Sequence, residues 1–346
     1  MAERVLTLRE LNRTLLLRQL LLQRASLSPV RAIERLAGLQ AQFAPAPYLA
    51  LWARLEGFRR EALERALRRD AVLKATLIRA TLHLVSARDY PYFRAAVGEA
   101  ARTIRTRGTE PPSPAAVRRA VALAREQPRT RRQLYDVLGY RERVDPLVNP
   151  HPLRQLHWLL SEGRLEQTAE TAMWEPARVT RFRALQYELP SPVEGRAHVI
   201  RRYLSAFGPA SRADLASWSG VPRRELDPAL EAMRLRTFRD ESGRVLLDLP
   251  RAPLAAGDEP APPRLLAPFD EIVLAHKDRT RIIGDDHRPS VIWGSDVAST
   301  FSVDGFVAGT WRRDGHRVVL EPFDPLPRSA RRELEDEARR LEAWLR

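Results

Sequence analysis

The sequence predicts a mainly α protein with small β wings (α+β), built as three tandem winged-helix modules and a C-terminal β-rich region. Three observations predict it. Residues 193–250 read almost without interruption as three helices followed by a two-stranded wing. That order recurs twice upstream, and residues 264–346 change to short alternating strands closed by an amphipathic helix. The modules are expected at 1–110 (carrying Gln40 and Gln42), 111–190 and 193–250, with the β-rich region at 264–346.

In the first module, 11–23, 29–39 and 62–69 have helical spacing, while 72–79 and 81–85 alternate as wing strands. The second has helices at 115–125, 130–138 and 152–160, a short strand pair in 164–171 around Gly163, and an insertion at 139–150. The third is the clearest. Val199, Ile200, Tyr203, Leu204 and Phe207 line one helical face that stops at Gly208-Pro209. Ser211 caps a helix over 212–218 that Gly220 closes, and Pro222 opens another reaching Met233. Strands at 236–239 and 244–249 then flank the turn Asp240-Glu241-Ser242-Gly243. Proline-rich linkers fall at 110–114, 189–193 and 251–263, the last expected to be a mobile connector. Beyond it, strands are expected at 265–275, 281–283, 300–303, 307–311 and 317–320, with Asp304-Gly305 as a hairpin turn. A final helix over 327–346 aligns Leu334, Ala338, Leu341 and Leu345.

Charge then names the kind of partner. The chain holds 58 basic and 44 acidic residues, a formal net charge of +14, and its only lysines are Lys74 and Lys277. An excess of this size marks a footprint for polyanions, and with winged helices it points to DNA. The preference for arginine over lysine is credited mainly to a GC-rich genome. Having no cysteine, the chain cannot use disulfides, thiolate zinc sites or cysteine nucleophiles. No apolar run reaches a membrane span and no signal-peptide pattern opens the chain, so a cytoplasmic protein without membrane contact is expected.

Polar residues in unusual places are the site candidates. Gln40 and Gln42 follow the predicted 29–39 helix, and Pro45 biases the segment before it away from helix. If the exit is extended, positions i and i+2 point the same way and both amides face one cleft; otherwise they merely cap a helix end. His83 lies on a wing strand, with Arg79 and Thr81 alternating onto its face; it contacts phosphate or lesion, or is a satisfied core histidine. His276, Lys277 and Arg279 are placed at a hairpin tip facing a DNA groove. Asp270 and Glu271 form a rival carboxylate pair, but adjacent strand residues point to opposite faces. Tyr48 and Trp52, at helical spacing just beyond the glutamines, are aromatic candidates for a pocket, with core packing the alternative for Trp52. The tryptophans, Trp293 included, read mostly as core, and no carboxylate–imidazole spacing matches a metal-ligand motif.

Several segments carry a family resemblance. They are Leu11-Asn12-Arg13 with Arg18-Gln19; Gly38-Leu39-Gln40-Ala41-Gln42; Arg79-Ala80-Thr81-Leu82-His83-Leu84-Val85; Pro268-Phe269-Asp270-Glu271; Lys277-Asp278-Arg279; and Val303-Asp304-Gly305-Phe306-Val307-Ala308-Gly309-Thr310-Trp311. In this order, over nearly the whole chain, they resemble the AlkZ-type winged-helix DNA glycosylases. The resemblance implies a basic concave cleft for double-stranded DNA carrying alkylated bases, entered by a monomer. It implies monofunctional removal of N7- or N3-alkylated purines, including bulky or crosslinking adducts of genotoxic natural products, with no cofactor or metal. The family's catalytic pair maps onto Gln40 and Gln42, whereas Ala80 stands where most relatives have glycine. Neutral amides suit such a substrate: an alkylated purine already carries positive charge and leaves without an acid. The competing reading is a non-enzymatic tandem winged-helix regulator, although most regulators carry one winged helix per subunit and dimerise.

Overall fold

Helices and short sheets alternate along the chain in the computed structural model, which describes residues 4–140, 151–162 and 164–346. Local chemistry sets many helix starts. Thr7, Thr130, Ser191 and Ser211 accept from the backbone three residues on, while Glu10, Gln133, Glu194 and Asp214 reach back to close capping boxes. The fold is mixed α and β, with three helical segments each meeting a three-stranded sheet. The sheets run Leu39–Gln40, Leu82–Ser86, Val72–Thr76; then Arg129–Thr130, Arg181–Ala184, Leu165–Gln167; then Val5–Leu6, Arg236–Asp240, Val245–Asp248. A four-stranded antiparallel sheet of Arg264–Leu266, Thr300–Val303, Phe306–Asp314 and Arg317–Pro322 follows, packed on the closing helix Arg328–Leu345. No helix among the described residues is long and apolar enough to cross a membrane.

The third unit has its helices at Pro192–Phe207, Arg212–Ser219 and Arg223–Glu231, with Gly220 left-handed at φ 74 to end the second. Its outer strand is a surprise. Val5–Leu6 crosses from the chain start to pair in parallel with Arg239 and Asp240.

Other expectations need correction. The 29–39 helix ends at Arg35, because Ala37 and Gly38 turn left-handed (φ 60 and 95) and the Gly38 N–H closes on the Ile33 carbonyl at 2.9 Å. Two unpredicted helices, Ala46–Arg54 and Tyr90–Arg105, follow. The latter packs tightly on Pro192–Phe207, where a Cβ on Gly195 would lie 2.7 Å from the Tyr92 carbonyl oxygen. The 164–171 strand pair is one strand, Leu165–Gln167, whose partner Arg181–Ala184 comes after a longer loop. Gly163 and most of the 139–150 insertion lie outside the described residues. The 265–275 strand stops at Leu266, Phe269 adopts φ 59, and Glu271–Leu274 is a short helix; 281–283 forms no strand. Trp293, expected in the core, stands half-exposed on the small hairpin Ile292–Trp293/Asp296–Val297.

The 251–263 linker is pinned, not mobile. Arg18 donates to the Pro253 carbonyl at 2.8 Å, Arg13 to that of Glu259 at 2.6 Å, and Ala255 N–H to Thr14 Oγ1 at 3.0 Å. One apolar core joins the first and third units to the β-rich region, while the second keeps its own around Ala120, Leu134, Leu156 and Phe182. Buried ion pairs stitch these parts together: Arg18 to Asp248, Arg54 to Asp270 and Arg94 to Glu166.

Candidate active site

Once the chain leaves the Pro29–Arg35 helix it extends, and Leu39–Gln40 forms a strand on the edge of Leu82–Ser86, with Gln40 opposite His83. The ladder continues as Ala41 N–H donates to the Leu82 carbonyl at 2.7 Å. Pro45 plays a different part from the one expected: it caps the next helix, well after the exit made between Arg35 and Gly38. Gln40 is buried and Gln42 exposed. Gln40 Oε1 accepts from Arg79 at 2.9 Å, and Gln42 Oε1 lies 3.4 Å from the Leu82 amide. Both amides thus border the same turn, 78–82.

That turn is unusual backbone. Arg79 and Ala80 both have positive φ, 52 and 57, so consecutive non-glycine residues sit in the left-handed region. The conformation is held from several sides. Arg105 donates twice to the Ala80 carbonyl, Arg79 donates to the Trp218 carbonyl at 3.0 Å, and Gly220 leaves only 3.2 Å between a would-be Cβ and Arg79 Cα. The glycine expected in relatives at position 80 therefore has a backbone reason. We expect Ala80→Gly to raise the denaturant midpoint slightly, by relieving about 1 kcal/mol of left-handed strain less the entropy glycine adds to the unfolded chain. A lower midpoint would mean the methyl group packs more than it strains.

Below the turn lies a buried carboxylate with three donors. Glu271 Oε1 accepts from Arg79 at 2.6 Å and from His83 Nε2 at 3.1 Å, and Oε2 accepts from Trp218 Nε1 at 3.0 Å. Burial alone would raise its pKa, but the neighbouring Arg79 and His83 prevail and hold it down to about 2. Because the folded value is depressed, this group stabilises above its ordinary value near 4.5, and the contribution is lost as pH falls through about 2. His83 is fully buried, with Nδ1 3.1 Å from the Thr81 carbonyl oxygen, so it does not touch a phosphate or lesion in this conformation. Arg79, Thr81 and His83 do converge, through the left-handed turn and not by strand alternation. Asp270 looks the other way, into Arg54, so the two adjacent carboxylates have separate tasks.

The sequence model of the AlkZ-like DNA glycosylases matches residues 33–344. The chain belongs to this family. Among solved structures, the Streptomyces sahachiroi DNA glycosylase AlkZ shares the fold at a TM-score of 0.83 and 22% identity, covering 98% of this chain and 97% of that one. Comparison with curated proteins by sequence alone gives no match. In this AlkZ-like chain the resembling segments are largely joints. Asn12 donates to the Arg281 and Gly305 carbonyls at 2.7 and 2.8 Å, Arg18 pairs with Asp248, and Gln19 accepts from Arg54.

Of the remaining candidates the structure buries His276 and leaves Lys277 at the surface. His276 is buried, its Nε2 donating to the Phe207 carbonyl at 3.0 Å, and burial pushes its pKa well down, so it is a neutral core residue. Its segment follows the Glu271–Leu274 helix, not a strand, and is no hairpin tip. Lys277 is exposed, but its backbone N–H is tied to Asp214, and half-buried Arg279 donates to the Val273 carbonyl at 3.1 Å. Tyr48 and Trp52 are both core: the Tyr48 hydroxyl donates to the Ala172 carbonyl and Arg24 lies over the Trp52 ring. Sequence reasoning missed Trp218 and undervalued Glu271, whose one signal was its place beside Asp270 in a resembling segment.

Proposed function

We propose that this glycosylase hydrolyses the N-glycosidic bond of cationic N7- or N3-alkylated purines in duplex DNA, bulky and crosslinking adducts included, in repair or self-resistance. The observation that carries this reading is the pairing of two neutral amides with a carboxylate that is not free to act. Glu271 is buried, ionised and met by three donors, so it has no proton to give a leaving base. A site without an available acid suits a leaving group already charged, whose departure needs positioned water and aimed dipoles more than protonation. The amides of Gln40 and Gln42 supply both. A monofunctional reaction fits the lysines: burial lowers Lys74 to about 8 and its Nζ is bound to the Thr171 carbonyl, while Lys277 lies beyond the Glu271–Leu274 helix. The three helical units with their sheets act in this reading as winged helices of one monomer around a single duplex, attracted by the net charge of +14.

The test is incubation with a duplex carrying one N7-methylguanine, followed by alkali. Strand cleavage at the lesion is expected, with uracil in the same position left intact. Equal release of uracil, or no abasic product, overturns the reading. Binding to that duplex should weaken with salt at a log–log slope of about −0.9 per phosphate contacted.

A further inference from the structure

We propose that Arg79 is a positioning residue for Gln40, held in turn by Glu271 and Trp218, and that it fixes which edge of the Gln40 amide faces the substrate; this rests on the glutamine reading above. A glutamine side chain has several rotatable bonds and an amide whose oxygen and nitrogen edges exchange by a half-turn. A guanidinium has only donors, so just the oxygen edge can face it. Arg79 Nη2 lies 2.9 Å from Gln40 Oε1, which commits the amide: its oxygen is turned inward and its NH2 and remaining lone pair are left for water or nucleotide.

Arg79 itself is not free to move. The same Nη2 meets Glu271 Oε1 at 2.6 Å, Nη1 meets the Trp218 carbonyl at 3.0 Å, and its backbone sits left-handed against Gly220. The chain of contacts thus runs from the third unit and the Glu271–Leu274 helix, through one arginine, to one amide oxygen. A lysine in this place has a single tetrahedral head that cannot meet three acceptors in a plane. The rival role for Arg79, a direct phosphate contact, has some geometric room because its side chain is 23% exposed. The two roles separate in kinetics.

The experiment is single-turnover excision of N7-methylguanine, with affinity for the same duplex at fixed salt, for Arg79→Ala, Gln40→Ala and the double variant. If Arg79 acts through Gln40, Arg79→Ala slows excision by roughly 10- to 100-fold with affinity nearly unchanged. The double variant is then no slower than Gln40→Ala, the non-additivity expected of residues acting as a unit. Added ethylguanidinium restores part of the rate to Arg79→Ala and none to the double variant. Losses that multiply in the double variant, or a loss confined to affinity, overturn the proposal while leaving the glutamine reading standing. Full excision by Gln40→Ala sinks the glutamine reading itself, and this inference with it. Should Arg79→Ala fold poorly, Glu271→Gln keeps the shape and removes the charge that anchors Arg79. It must show the same dependence on Gln40, and a rate equal to the parent's overturns the proposal.

Discussion

Replacing Gln40 or Gln42 by alanine is expected to slow excision of N7-alkylguanine by about 10²–10³, the usual loss when one preorganised polar contact is removed from a transition state. Affinity for the duplex should survive, since neither side chain is charged. The two variants should differ in stability. Gln40 is buried, and its loss strips a partner from Arg79, whereas Gln42 is exposed and holds the Leu82 amide only at 3.4 Å. Gln40→Ala should therefore lower the unfolding midpoint and Gln42→Ala should not. Gln42→Asp should keep some activity, because a carboxylate still accepts a hydrogen bond from water. Single-turnover rates measured beside binding decide the matter: unchanged rates in both alanine variants would remove the amides from the chemistry.

The third unit was legible because its signals are local. Ser211 caps, Gly220 stops, and the turn at Gly243 reverses the chain, each within a few residues of the element it controls. The extended exit that brings Gln40 and Gln42 to one turn was legible for a similar reason, lying between a helix stop and a proline. What stayed hidden depends on distant partners. Val5–Leu6 carries no mark of the strand it joins at Arg239 and Asp240. Asn12, Arg13, Thr14 and Arg18 are all buried, and nothing in the helical spacing of 11–23 names the partners that bury them. At 276–279 the expected hairpin tip was wrong in its geometry, although Lys277 is exposed as that expectation had it. The imidazole there is packed under Phe207, and the backbone is fastened to Asp214. The Glu271–Leu274 helix was lost because Ile272, Val273 and Leu274 form a short continuous apolar run, which a buried strand carries equally well, and no pattern announces a left-handed Phe269.

The largest expected loss of stability lies beside the site, at Asp270. Its carboxylate grips Arg54 through two bonds of 2.8 and 2.7 Å, and both side chains are almost wholly shielded from water. Arg54 also donates to the Gln19 and Ala50 carbonyls, but Asp270 is the carboxylate that balances its charge among the described residues. Asp270→Ala leaves a guanidinium buried without a counter-charge, which typically costs about 3–5 kcal/mol. It also removes the cap on Ile272 N–H, at 3.1 Å, that starts the Glu271–Leu274 helix, for roughly 0.5–2 kcal/mol more. Asp270→Asn separates the two effects, since it can still cap but carries no charge, and it should recover only the smaller part. Replacing both partners by leucine should cost less than Asp270→Ala alone, because no charge is then stranded. An exposed pair makes the control: Glu321→Ala, which removes the ion-pair partner of Arg312, should change stability by about 0–1 kcal/mol. Denaturant midpoints of these variants are the measurement. If Asp270→Ala unfolds no more easily than Glu321→Ala, the Arg54–Asp270 pair does not hold the turn that delivers Glu271 to Arg79.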